Sequence, residues 1–313
     1  PCFNEQEVLE LTHRRLIKAL GNIPIPRLDL EIIYVNDGSR DRTEEILFEL
    51  ADADSRVKVV SLTRNFGHPP AITAGLNHAV GDIVAVIDAD LQDPPELIVS
   101  MIAKWQEGFD IVYGVRAKRR EGIFKRLSYT AFYRLYRFLA QIEMPVNSGD
   151  FALLDRRVVD LLNSLPEKNR FIRGLRTFLG LREAGVPHER DARAAGNSKY
   201  SVRKLLTLAF DGIFNFSTVP LTIIFIAGLI TASMSILAGL IYCIARIGDF
   251  KIFGSSPGDV PGFTTLILVI LFFSGIQLIS LGIIGEYLAR NYQESKMRPV
   301  YVVKEVRGGK LAA

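Results

Sequence analysis

The chain has 313 residues, of which 38 are basic and 34 acidic, so its formal charge at pH 7 is +4. Charged residues make up 23% and hydrophobic residues 49%, a balance that excludes a disordered, collagen-like or acidic-tail protein. Its two cysteines, Cys2 and Cys243, are too few for a disulfide framework, and no Cys/His cluster predicts a zinc site. The length predicts one large domain or two ordinary ones.

The hydrophobic residues are unevenly distributed, although the mean hydropathy of +0.20 is already high for a soluble protein. Residues 212–245 and 260–285 form two long runs without a formal charge. A helix needs about 20 apolar residues to cross a bilayer core. The sequence therefore predicts two transmembrane helices, at about residues 220–244 and 263–287.

The part before these runs alternates short apolar, β-rich segments with helical patterns, which predicts an α/β fold with a mostly parallel sheet and flanking helices. The predicted elements are helix 5–20, strand 30–35, helix 43–53, strand 57–62, helix 68–79, strand 83–87, helix 97–107 and strand 111–114. Pro1–Glu5 is typical of the end of a strand, so we expect the natural chain to begin earlier. The tail from Pro299 predicts a short strand that packs on this domain or on a neighbouring subunit.

Two amphipathic segments, at 116–137 and at 198–217, carry patterns typical of helices at a membrane surface. Residues 116–137 are strongly basic and rich in tyrosine, which is typical of a helix on an anionic membrane surface or of a solvated face of a core helix. The predicted organisation is a catalytic domain at 1–197, an interfacial amphipathic helix at 198–217, two spans within 218–288, and a tail at 289–313. Lys and Arg flank the spans on one side, so both termini and the catalytic domain are expected in the cytoplasm.

Acidic side chains follow two of the predicted strands, where ligands of open α/β sheets bind. Asp37 follows strand 30–35, and Asp88 and Asp90 follow strand 83–87, with Gln92 two residues further on. Carboxylate and amide oxygens are ligands that Mg²⁺ and Mn²⁺ prefer, and both ions contact substrate phosphates. This segment predicts a divalent metal site; the alternative is an ordinary acidic turn.

Six motifs occur in the order PCFNEQE, VNDGSRDRT, TRNFGH, DADLQDPPE, GDFALLDRR and GNSKYSVRKL, before the two predicted spans. Together they resemble the polyisoprenyl-phosphate glycosyltransferases, which are inverting family-two glycosyltransferases with a GT-A, Rossmann-like fold. The resemblance covers essentially the whole chain. It extends to dolichol-phosphate mannose synthases and is closer to bacterial bactoprenol glucosyltransferases of the GtrB kind. It implies inverting transfer of a hexose, glucose from UDP-glucose, onto polyprenyl (undecaprenyl) phosphate for cell-envelope glycan modification.

The resemblance also implies roles for the residues that match these motifs. The donor would be bound by Pro1, Phe3 and Glu5 at the base, Asp37 at the base or ribose, and Asp88 near the ribose and diphosphate. The implied ligands of Mg²⁺ or Mn²⁺ are Asp88, Asp90 and Gln92. The family often has arginine where Ala152 stands, so that contact is either missing or supplied from elsewhere.

The implied acceptor is a phosphate, which carries negative charge at neutral pH and attacks without a strong general base. Asp150 is therefore either a weak candidate base or a group that positions the acceptor or the sugar hydroxyls. The cations expected to bind the acceptor phosphate are Arg116, Arg126, Arg193 and Lys199, with Ser198 beside Lys199 in the same turn. The predicted catalytic residues are Asp90, Asp150, Lys199 and Arg126, whereas His68 is interpreted as structural.

Several alternatives to this function stay open. The donor could be GDP-mannose, as in dolichol-phosphate mannose synthases. A processive polysaccharide synthase lacks support because the single tryptophan, Trp105, is not in a QxxRW motif. A non-enzymatic membrane accessory protein explains the spans but not the acidic strand ends. The expected partners are a nucleotide sugar, polyprenyl phosphate and a bilayer, with no nucleic acid, and small residues in the first span predict helix association in a homo-oligomer.

Overall fold

The computed structural model of the chain describes residues 1–21, 23, 29–116, 148–189, 214, 217–248 and 263–309. The chain forms two compact units, one made of Pro1–Asn215 with Met297–Ala313 and the other of Phe216–Lys296. The predicted amphipathic segments lie almost entirely outside the described residues, so both stay predictions.

Up to strand 111–114 the first unit alternates helices and strands as the apolar periodicity predicts, whereas the helices and strands at 148–188 are not among the predicted elements. Its described helices are α1 (Leu9–Leu20), α2 (Thr43–Ala53), α3 (His68–His78), α4 (Leu97–Gln106), α5 (Arg156–Ser164) and α6 (Ile172–Phe178). Its described strands are β1 (Ile32–Asn36), β2 (Val57–Leu62), β3 (Ile83–Val86), β4 (Ile111–Arg116), β5 (Ser148–Asp155), β6 (Glu183–His188) and β7 (Val303–Gly308).

Helix α1 begins later than its sequence pattern predicts, at Leu9 rather than near Glu5. The backbone N–H groups of Asn4 and Gln6 instead donate to side chains of the loop after β1, and that of Glu5 donates to Thr43 at the start of α2. Just before them, Cys2 forms a parallel bridge with Asn36, which is the extended conformation that the sequence predicts for this segment.

The strands form two mixed sheets, with the orders β1-β2-β7 and β3-β5-β4-β6. Two of the described pairs are parallel, β1 with β2 and β4 with β6, whereas β2–β7, β3–β5 and β4–β5 are antiparallel. The prediction of a mostly parallel sheet is therefore wrong. A buried strand shows the same apolar run in either direction, so its direction cannot be read from its sequence.

The core of the first unit lies between these sheets and the helices that cover them. Leu9 of α1, Leu47 of α2, Val57 and Val59 of β2 and Met101 of α4 all have no exposed surface and belong to one apolar cluster. Burial of each such side chain contributes roughly 1.5–3 kcal/mol. This packing gives the strand ends, where the polar residues lie, a rigid support.

The tail packs on the α/β domain of its own chain, which is one of the two predicted arrangements; the other was packing on a neighbouring subunit. Strand β7 pairs with β2 from Lys58 to Leu62. Lys304 contacts Glu44 at 3.1 Å, and Arg307 contacts Asp52 at 2.6 Å. Residues beyond the predicted spans are thus part of the α/β sheet.

The second unit consists of two long helices, α7 (Val219–Ile247) and α8 (Phe263–Ser295). Both coincide with predicted spans. By length and composition, one segment of the described residues could cross a membrane, Phe272–Ser295, while Val219–Met234 is a shorter apolar helix. Large apolar side chains of this unit are exposed, among them Phe225 at 69% and Leu278 at 69%. A second crossing, by the predicted span at about residues 220–244, therefore stays a prediction.

Candidate active site

Three carboxylates of the candidate site are positioned by strands of the first unit. Asp37 comes directly after β1, and Asp88 comes two residues after β3. Strands β3 and β5 are antiparallel with Val86 opposite Ala152. Continuing that register by two residues brings Asp88 opposite Asp150, so an acid that sequence spacing leaves distant becomes a neighbour.

His68 lies between these two acids. Its ring Nε2 is 2.8 Å from Oδ1 of Asp88, and its Nδ1 is 3.7 Å from Oδ2 of Asp150. Arg173 of α6 contacts both oxygens of Asp150, with Nε at 2.9 Å and Nη2 at 3.1 Å. The result is a continuous row of alternating charge, which we call the acid–histidine row: Asp88, His68, Asp150 and Arg173.

The pKa values of this row are shifted in the directions that its pairing requires. Burial acts to raise the pKa of Asp150, but the charge and hydrogen bonds of Arg173 outweigh it and hold that pKa well below its usual range. Burial likewise opposes the ionised form of Asp88, yet the hydrogen bond and charge of His68 lower its pKa. Burial opposes protonation of His68 too, and the two acids nevertheless raise its pKa. A carboxylate with so low a pKa is a poor general base.

The metal-site candidates lie in the loop that follows β3. The backbone N–H of Gln92 donates to Oδ1 of Asp90 at 3.1 Å, and the intervening Leu91 is buried with φ 57°. A buried leucine in the left-handed region is strained, and such strain concentrates at ligand-binding sites. The described residues contain no group of three or more His, Cys, Asp or Glu that could hold a metal. Two carboxylates and an amide do fit Mg²⁺ or Mn²⁺ whose remaining ligands are phosphate oxygens.

This loop is held by contacts from two other elements besides α3. Thr12 of α1 donates to the carbonyl oxygen of Ala89 at 2.8 Å. At the other end of the loop, Asp93 lies 3.1 Å from Nε2 of His188, the last residue of β6, and both side chains are buried. These contacts fix the loop on both sides of Asp90.

Asp37 has different surroundings. It is 4% exposed, and its two oxygens accept hydrogen bonds from the backbone N–H groups of Phe66 and Gly67 at 2.7 and 2.9 Å. Burial raises its pKa, and the two N–H groups only partly offset that effect. Asp37 therefore holds the loop between β2 and α3 in place.

Pro1, Phe3 and Glu5 do not share one surface. Phe3 lines a polar cavity of about 440 Å³ together with Arg40, Arg64 and Lys304. Pro1 lines a different, largely apolar cavity, and Glu5 accepts backbone hydrogen bonds from the start of α1 while its own N–H donates to Thr43.

Of the residues predicted to bind the acceptor phosphate, the structure describes only Arg116. Arg126, Arg193, Ser198 and Lys199 lie outside the described residues. Arg116 is the last residue of β4, and its backbone pairs with that of His188. Ala152, where the resemblance expects arginine, is fully buried in β5.

Three residues outside the predicted site contact its acids or their neighbours. The sequence interprets His68 as structural, and its ring contacts Asp88. Arg173 and Arg176, three residues apart on α6, were not singled out; Arg176 is buried and donates to the carbonyl oxygen of Gly149 at 2.9 Å. The three-residue spacing predicts that the two arginines share one face of a helix. The residues next to them in sequence do not indicate which groups they contact.

An α/β domain with carboxylates at its strand ends is typical of enzymes that bind nucleotides and phosphates. Residues 1–162 match the model of the family described as Glycosyl transferase family 2, and the chain belongs to that family with a GT-A fold of mixed sheets.

Similar proteins include the uncharacterized glycosyltransferase YkcC of Bacillus subtilis, which is 44% identical over 98% of this chain and 93% of its own length. The prophage bactoprenol glucosyl transferase homolog of Escherichia coli is 40% identical over 98% of this chain and 97% of its length. The bactoprenol glucosyl transferase of Shigella phage SfV is 42% identical over 97% and 96%.

Proposed function

We propose that the protein is a membrane glycosyltransferase that moves glucose from UDP-glucose onto polyprenyl phosphate with inversion of configuration. The observation that carries the proposal is the meeting of Asp88, His68 and Asp150 beside the strained Asp90–Gln92 loop, in a chain of glycosyltransferase family 2. The names of the bactoprenol glucosyl transferases at 40–42% identity support the choice of acceptor and sugar.

On the donor side, Asp88, Asp90 and Gln92 are the residues that would hold Mg²⁺ or Mn²⁺, which when bound supplies positive charge for the leaving diphosphate. The polar cavity lined by Phe3 is the proposed place of the nucleoside. Glu5 and Asp37 then support this region through their hydrogen bonds to neighbouring segments, and Pro1 is proposed to lie near the base.

On the acceptor side, the nucleophile is the phosphate itself, so the chain has to orient it rather than remove a proton from it. The low pKa of Asp150 and its pairing with Arg173 favour a positioning role over a basic one. Lys199 and Arg126, with Ser198, Arg116 and Arg193, are proposed to bind the acceptor phosphate. Attack from the face opposite the diphosphate converts an α-linked donor into a β-linked product.

The proposed location is the cytoplasmic membrane, with the catalytic domain at 1–197, an interfacial helix at 198–217, both spans within 218–288 and a cytoplasmic tail at 289–313. Exposed apolar side chains on α7 and α8 support it, because such surfaces are stable in lipid rather than in water. A cysteine at Ser256, in a Cys2→Ser/Cys243→Ser background, should react with an impermeant thiol reagent outside intact cells. Labelling only after lysis would contradict this topology.

The reaction is tested with the full chain in detergent, Mg²⁺, undecaprenyl phosphate and a panel of nucleotide sugars. We expect a β-linked lipid product and release of UDP with UDP-glucose. Product with GDP-mannose alone would contradict the donor, and no product with any donor would favour the accessory protein. Lys199→Ala should raise KM for undecaprenyl phosphate and leave KM for the donor nearly unchanged.

A further inference from the structure

The position of His68 is determined by the end of β1, far from it in sequence. Asp37 accepts hydrogen bonds from the two backbone N–H groups that precede His68, those of Phe66 and Gly67. Gly38 has φ 64°, and a Cβ there would lie 2.4 Å from the carbonyl carbon of Arg64. This glycine therefore permits the close approach of the two loops.

The turn into α3 then directs the side chain. Gly67 has φ 103°, which favours glycine, and α3 begins at the next residue with Pro69 in its first turn. His68 is thus the first residue of a helix whose start is held by Asp37. Its ring lies between Asp88, which follows β3, and Asp150 of β5.

The two acids that face the ring differ in their partners and in their exposure to solvent. Asp150 is bound at both oxygens by Arg173, and its side chain is 17% exposed. Asp88 is 30% exposed, and His68 is its hydrogen-bonding partner at 2.8 Å. The ring therefore separates the carboxylate of Asp150, which Arg173 of α6 holds, from the carboxylate of Asp88, which lies next to the candidate metal loop. Without the ring, two acids brought together by the β3–β5 register would repel each other.

We infer that His68 is a positioning residue that holds the Asp88 carboxylate in the orientation required to bind a divalent cation with the donor diphosphate. The inference rests on the proposed function and deepens it, because it adds a residue outside the Asp88–Gln92 segment to the metal site. Partners that orient metal ligands through hydrogen bonds affect metal affinity by roughly 10–100-fold when removed.

Two conservative variants separate the two ring nitrogens. In His68→Gln the amide nitrogen replaces Nε2 and retains a donor to Asp88. In His68→Asn the amide nitrogen replaces Nδ1 and loses the contact with Asp88. His68→Ala removes both, and His78→Gln, at the other end of α3, is the matched control.

The readout is binding of Mn²⁺ in the presence of UDP, followed by electron paramagnetic resonance on the full chain in detergent, together with the unfolding temperature. We expect His68→Asn and His68→Ala to weaken Mn²⁺ binding by roughly 10–100-fold, while His68→Gln and His78→Gln stay close to wild type. The unfolding temperatures should change little, since the ring is partly exposed.

Wild-type affinity in His68→Asn and His68→Ala would overturn the inference. Equal loss in His68→Gln and His68→Ala, with a matching fall in unfolding temperature, would also overturn it, because the role would then be structural. A wild-type chain that binds Mn²⁺ with UDP but transfers no glucose would overturn the proposed reaction, while the comparison of the variants would still decide the role of His68.

Discussion

The ends of strands β1 and β3 carry the same residue type in opposite environments. Asp37 after β1 is buried and accepts hydrogen bonds from neutral backbone groups, so burial raises its pKa. Asp88 after β3 is partly exposed and pairs with His68, which lowers its pKa. The comparison shows that the partners of an acid, rather than its position at a strand end, decide the direction in which its pKa is shifted.

The largest expected effect concerns the ligand-binding side. Asp90→Asn keeps the shape of the side chain but removes its charge, so activity should fall by about 100-fold, the upper end of the range for changes at a metal site, while the unfolding temperature stays the same. The measurement is the rate of lipid-linked product at saturating Mg²⁺. Asp82→Asn, at the exposed opposite end of β3, is the control and should have wild-type activity. Near-normal turnover of Asp90→Asn would remove it from the metal site.

The next effect concerns the ion pair that anchors the acid–histidine row. Arg173→Met leaves Asp150 without its bidentate partner, which should lower the free energy of unfolding by roughly 2–3 kcal/mol. Denaturant unfolding measures this change, and Arg157→Met, which replaces an exposed arginine of α5, is the control. The double variant Asp150→Asn/Arg173→Met should recover part of the loss. Additive losses would show that the two side chains are not coupled.

Asp37 should affect stability more than chemistry. In Asp37→Asn one oxygen is replaced by an NH₂ group that faces a backbone N–H, so the free energy of unfolding should fall by roughly 1–3 kcal/mol. Asp52→Asn, in an exposed pair with Arg307, should cost less than about 1 kcal/mol. A variant Asp37→Asn that is fully stable but does not bind UDP would instead assign Asp37 to direct contact with the nucleoside.

The smallest effect is in the pH dependence of stability, where Asp37 at the end of β1 and Asp150 of the acid–histidine row should differ in sign. The folded pKa of Asp37 is raised above its ordinary 3.8, so its contribution falls as pH rises through the interval above 3.8. The folded pKa of Asp150 is lowered, so its contribution is complete above 3.8 and is lost as pH falls below it.

Unfolding in urea across this range checks these signs, and each slope should stay below about 1.4 kcal/mol per pH unit, the limit for one proton. In Asp37→Asn the free energy of unfolding should no longer show the decline with rising pH that Asp37 causes. In Asp150→Asn the loss in free energy of unfolding should be smaller in acid than at neutral pH. The same sign for both variants would contradict the difference between Asp37 and the acid–histidine row.

Much of the first unit could be predicted because its signals are local. The predicted bounds of helix 43–53 and strand 57–62 agree with α2 and β2, and Asp37 and Asp88 lie at strand ends as expected. Strand β5 is not among the predicted elements, and the direction of β7 could not be predicted. Antiparallel β5 matters most, since it is this reversal that places Asp150 opposite Asp88.

The sequence by itself determined the alternation of helices and strands, the acidic segment after β3 and the two long apolar helices, because each depends on the spacing or composition of adjacent residues. Only the tertiary structure decided that His68 meets Asp88, 20 residues away, and that Arg173 meets Asp150, 23 residues away. Contacts of this kind depend on strand register and on loops held by distant side chains, such as Asp37 at the start of α3. No local pattern encodes them, because the energy of pairing two charges appears only when folding brings them together and excludes water around them.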